Sequence, residues 1–103
     1  MEPDKQDKPE TATTDPVVAD LLGREVVIDT AGMIVYLGTL RADRPGGFWL
    51  ENADVHNCND GHAQKDEYIV ESRLHGIHVN RRRVFVLRQA AISLSALADI
   101  VAD

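Results

Sequence analysis

Met33-Ile-Val-Tyr-Leu-Gly-Thr-Leu-Arg-Ala-Asp43, followed by Phe48-Trp-Leu-Glu-Asn-Ala-Asp54, is the stretch whose pattern decides how this chain folds. Side chains alternate between the two faces of an extended strand. Ile34, Tyr36, Gly38 and Leu40 therefore share one face, and Met33, Val35 and Leu37 share the other. Both faces are apolar through the middle, so this strand must be covered on both sides or strongly bent. Gly38 suits the bend, because a residue without a side chain lets a sheet curve or another backbone approach. Asp43-Arg-Pro-Gly-Gly47 reads as a turn, and Phe48 to His56 as the returning strand.

Working outward, Glu25-Val-Val-Ile-Asp29 is a β-branched run joined to the central strand by Thr30-Ala-Gly32, which predicts a hairpin. Before it, Asp15 is an N-cap, Pro16 fits the first helical position, and Val17, Val18, Leu21 and Leu22 form an apolar stripe that Gly23 ends. Residues 57–66 are polar and rich in turn formers, which predicts an exposed loop. Tyr68 to Val79 reads as a long fourth strand with a break at His75-Gly76, and Val84 to Leu87 as a short fifth. Leu94, Leu97, Ala98 and Val101 then share a helical face, with Ser93 as cap, so a C-terminal helix is expected. The predicted organisation is a disordered acidic tail over residues 1–14, a barrel domain over 15–88, and a helical extension over 89–103.

The 103 residues, 44% of them hydrophobic, suffice for one core and not for two. Five of the 17 acids and two of the 11 basic residues lie in Met1–Asp15, which leaves 12 acids against 9 basic groups elsewhere. A net charge of −6 argues against coating duplex DNA over the whole surface, which requires many phosphates to be neutralised. The single cysteine, Cys58, cannot form an intramolecular disulfide, and this favours a reducing compartment. No apolar run approaches the ~20 residues that span a bilayer, and the amino terminus is acidic and proline-bearing. A cytoplasmic protein with no membrane association is expected.

The two halves of this pattern resemble the two sequence signatures of the Sm/LSm family. Gly38, Leu40, Asp43, Leu50, Glu51, Asn52 and Ala53 stand where the first signature has Gly-x-Leu, an Asp, and Leu-Glu-Asp/Asn-Ala. Ile77 to Val79, Asn80 to Arg83 and Val84 to Leu87 stand for the second signature's strand, polar turn and strand. The resemblance implies a mainly β fold: a five-stranded, strongly bent antiparallel barrel with an N-terminal helix, here with an added C-terminal helix. It also implies a homo-oligomeric ring closed through the fourth and fifth strands, and single-stranded RNA held at the inner rim by one loop from each signature. The residues carried over to that site are Asp43, Asn80, Arg81, Arg82 and Arg83. Gly46 and Gly47 occupy the neighbourhood of the family's base-reading Asn, and Pro45 the stacking position.

Arg81 to Arg83 have two readings. A ring would concentrate their field on phosphates, whereas alone they are a solvated turn that blunts a sheet edge. Phe48, Trp49, Tyr36, Tyr68 and Phe85 could stack on bases, but their apolar strand settings favour packing in the core or between subunits. His56, Cys58, His62, His75 and His78 lack a standard zinc spacing. A glycine-rich phosphate loop, a nucleophile elbow and an HExxH motif are also missing, so neither cofactor nor catalysis is expected. The rival to RNA binding is an oligomeric scaffold that binds a protein partner and has lost the RNA pocket.

Overall fold

The central strands form as their alternation dictates. The computed structural model describes residues 15–60 and 64–102, so the expected tail over 1–14, and His62, lie outside the described residues. A short helix α1 (Pro16–Ala19) precedes β1 (Glu25–Asp29), β2 (Ile34–Arg44) and β3 (Gly47–Asn57). A second helix α2 (Lys65–His75) follows, then β4 (Arg81–Leu87) and β5 (Ser93–Ala96). The five strands make one antiparallel sheet in the order β4-β3-β2-β1-β5. Among the described residues the fold is thus mainly β with two α-helices.

Both faces of the sheet are covered, which answers the two-sided apolar pattern of β2. On the inner face Val26, Ile28, Leu40, Phe48, Leu50, Ala53, Val86 and Ala96 form one buried cluster, closed by Leu21 with Val18 and Leu22. On the outer face Val27, Val35 and Leu37 pack with Cys58, Leu97 and Ile69 of α2. Register shifts between Leu37 and Thr39 and between Leu40 and Ala42 bend β2. Gly38 sits at the first shift, where an added Cβ would lie 3.1 Å from Ala53 and from the Glu51 carbonyl. At α1, Asp15 accepts from the Val17 N–H as an N-cap, but the helix is one turn long and Val17 is 68% exposed, outside the stripe assigned to it.

Three segments depart from expectation. The pattern of residues 68–79 predicts a strand, whereas Lys65–His75 is helical. Glu67 reaches back to accept from the Gln64 N–H, acids fill the first turn, Arg73 and His75 fill the last, and Gly76 at φ 97° ends the helix. The fourth strand is therefore β4, and Arg81–Arg83 begin it instead of forming a turn. The C-terminal helix is replaced by β5, which pairs with the free side of β1 from Asp29↔Ser93 to Val26↔Ala96. Leu94 and Ala96 face the inner core between Ser93 and Ser95, a period-two pattern that outweighs the helical spacing of the apolar residues. The segment read as a separate extension is thus part of the sheet.

Candidate functional site

The turn between β2 and β3 is joined to the end of β4 by a single arginine. Arg88 follows the last residue of β4, and its guanidinium meets the Asp43 carboxylate while Nη2 also donates to the Arg44 carbonyl at 2.5 Å. Its Nε donates to the Pro45 carbonyl at 3.1 Å, and its backbone N–H to the Gly46 carbonyl at 2.9 Å. The same guanidinium lies 4.5 Å from the Phe48 ring centroid. Arg suits this position because a planar, multi-donor group can serve a carboxylate and several carbonyls at once. Gly47 makes the junction possible, since a Cβ there would fall 2.1 Å from the Val86 carbonyl oxygen. Asp43 is nearly enclosed, with 10% of its side chain exposed, whereas Arg88 keeps 45%. The clasp therefore presents a held cation at one end of the sheet.

Of the residues expected at an RNA site, only Asp43 is here. Antiparallel pairing sets Gly47 against Leu87 and Ala53 against Arg81. Arg81 and Arg88 are thus separated by the length of β4, about 20 Å at the usual rise per residue. Asn80 has a structural role. Its Nδ2 donates to Asp54 Oδ1 at 2.9 Å, its Oδ1 accepts from the Val55 N–H at 3.0 Å, and its own N–H donates to the Ala53 carbonyl at 2.8 Å. Asp54 is 1% exposed and also accepts from the Tyr68 hydroxyl. Burial, and then the bond to Asp54, push the Tyr68 hydroxyl well above the usual phenol range. This network fastens α2 and the approach to β4 onto β3. Lys65 fastens the other end, donating to Asp29 Oδ1 at 2.7 Å and to the carbonyls of Thr30 and Gly32.

The remaining candidates separate clearly. Phe48, Tyr36 and Tyr68 pack in the two cores, while Trp49 and Phe85 are half-buried neighbours on the outer face. His56 stacks on Tyr68 with ring centroids 3.5 Å apart, Cys58 is buried, and His75 lies 3.4 Å from Glu71 on α2. Burial pushes the Cys58 thiol up, with Lys65 opposing. Among the described residues no group of three or more His, Cys, Asp or Glu converges as a metal site, and no helix is long and apolar enough to cross a membrane. Sequence reasoning missed Arg88. The signal was the end of the apolar run Val84-Phe-Val-Leu87, immediately before it.

No family model matches the chain, and no curated protein matches it. Among solved structures it is similar to an Sm-like archaeal protein from Pyrobaculum aerophilum, with a TM-score of 0.51 and 22% identity. The match covers 78% of this chain and 48% of the archaeal one, so this chain spans about half that protein's length. At this identity the likeness establishes an Sm-like fold.

Proposed function

We propose that this chain is an Sm-like ring-forming protein that binds single-stranded RNA at a rim site centred on the Asp43–Arg88 clasp. The observation that carries this reading is the clasp itself, which brings a loop from each half of the sequence pattern to one place and fixes a cation there. With β4 running from Arg81 to Leu87, the turn that follows it opens with Arg88, and Asn80 to Arg83 lie at the opposite end of the strand. Ring closure is supported by the two sheet edges, since among the described residues β4 and β5 each pair on one side only. Leu87 and Ile92, 53% and 63% exposed, lie beside those edges as apolar surface for a neighbouring copy. Binding would consist of phosphate attraction to Arg88 and polar contacts from the loop backbones, with no bond made or broken.

A second reading, an oligomeric protein-interaction scaffold, is favoured by one specific feature. Arg88 already spends donors on Asp43, Arg44 and Pro45, and Gly46 and Gly47 offer no side chain to a base. Fluorescence anisotropy with labelled U-rich and A-rich single-stranded RNA at two salt concentrations separates the two. Saturable binding that weakens with salt and falls at least about fivefold in Arg88→Ala is the expected result. Absence of binding to either RNA would hand the function to the scaffold reading.

A further inference from the structure

The arginine run at the opposite end of β4 still needs an account. In β4 the side chains of Val84 and Val86 enter the inner core, so Arg81, Arg83, Phe85 and Leu87 project from the opposite face by strand alternation. On β3, Trp49 stands opposite Phe85, and Glu51 opposite Arg83, in the same ladder. The Trp49 and Phe85 rings lie 5.0 Å apart at 58°, and the Arg83 guanidinium sits 4.5 Å from the Trp49 ring centroid. Arg41 extends the patch from β2, with Nε 3.3 Å from Glu51 Oε1. Three arginines and two aromatic rings thus share the outer face with one carboxylate. Residues 81–83 are all exposed.

We infer that the outer face of β3 and β4, built by Arg81, Arg83, Trp49 and Phe85, is a second binding surface for single-stranded nucleic acid, made by side chains other than those of the rim clasp and running away from it along the strands from Phe85, whose ring lies beside Gly46. Charge complementarity selects a polyanion, because this cluster is basic on a chain whose net charge is −6. The interleaved rings and guanidinium select a polyanion that carries flat faces. A base can stack on the Arg83–Trp49 pair or displace Arg83 from the ring toward a phosphate, and either mode tolerates any base sequence. The surface uses side chains of β4, whereas pairing of the sheet edge uses its backbone N–H and C=O groups. Ring closure and ligand binding therefore draw on different atoms of the same strand.

Trp49 is the only tryptophan in the chain and lies against Arg83 and Phe85, so its emission reports on this patch. Titrating the full-length protein with U-rich and A-rich single-stranded RNA should quench or shift that emission, and the change should persist in Arg88→Ala. In Arg81→Ala/Arg83→Ala the emission response should weaken at least about tenfold in RNA concentration, and the log-affinity against log-salt slope should flatten by about 1.4, the value for two lost phosphate contacts on a single strand. Because Phe85→Ala could loosen the sheet, Phe85→Leu serves as the aromatic test. It keeps the apolar packing and should weaken binding at least about fivefold. RNA bound in the anisotropy assay with unchanged Trp49 emission and no effect of the double variant would overturn this surface and leave the rim reading standing. No RNA binding by any assay would overturn both.

Discussion

The two ends of β4 both carry arginine, and they are built differently. At the Leu87 end, Arg88 is tied to a carboxylate and to the backbone of the facing turn, and a glycine clears space for the approach. At the Arg81 end, the anchoring falls to neutral Asn80 and to the Asp54–Tyr68 network beneath it, while residues 81–83 are exposed and Arg83 lies over the Trp49 ring. The contrast teaches that a run of like charge does not mark the rigid site. What marks it is the set of acceptors that hold a charged group in place. The exposed arginines keep their donors free to move, whereas the clasped one is fixed by its acceptors.

The sharpest way to break this comparison is at Gly47. Replacing it with alanine drives a Cβ to 2.1 Å from the Val86 carbonyl, so β3 and β4 must part at the clasp. Gly47→Ala is expected to cost about 3 kcal/mol in urea unfolding. Wild-type stability would show that the junction is loose. At the other end, Tyr68→Phe and Asn80→Ala each deprive buried Asp54 of a donor and should cost about 2 kcal/mol each. The tyrosine adds a pH signature. Its hydroxyl stays neutral in the fold to a higher pH than in the unfolded chain, whose ordinary value is 10.0. Stability is therefore full below that pH and lost as pH rises beyond it, and Tyr68→Phe should remove this part of the alkaline loss. Thermal unfolding across alkaline pH checks the difference.

Smaller effects sharpen the contrast. Arg88→Ala should cost about 1 kcal/mol, because the side chain is half exposed and solvent screens its ion pair. Arg82→Ala, at the exposed end of the strand, should stay within about 0.5 kcal/mol of wild type. A larger loss in Arg82→Ala than in Arg88→Ala would invert the assignment of the two ends.

The inner face was legible because Val26, Ile28, Leu40, Leu50 and Val86 alternate with outward residues, and alternation is the strongest local signature of a half-buried strand. The outer face was less so. Tyr68-Ile-Val70 has strand propensity, and the features that make it helical are polar: Glu67 three residues after Gln64, Asp66 beside it, and Gly76 at the end. Tertiary packing of Ile69 onto Val27, Val35 and Leu37 then favours the helix, since that face would otherwise be exposed. The same misreading moved the expected turn. Treating residues 68–79 as the fourth strand pulled the following turn back to Asn80–Arg83, whereas the pattern around Gly38 and Leu40 set Asp43 near the end of β2, where the structure has it. β5 was hidden for a different reason. Four residues are too few to establish a period, and the edge of β1 that captures them is nearly 70 positions away in sequence.

Native mass spectrometry of the full-length chain, with and without U-rich single-stranded RNA, tests the proposal of an RNA-binding ring most directly. A closed assembly of one defined subunit number, present before RNA is added and carrying RNA after, is the predicted result. A monomer at every concentration, with RNA absent from all species, would contradict it.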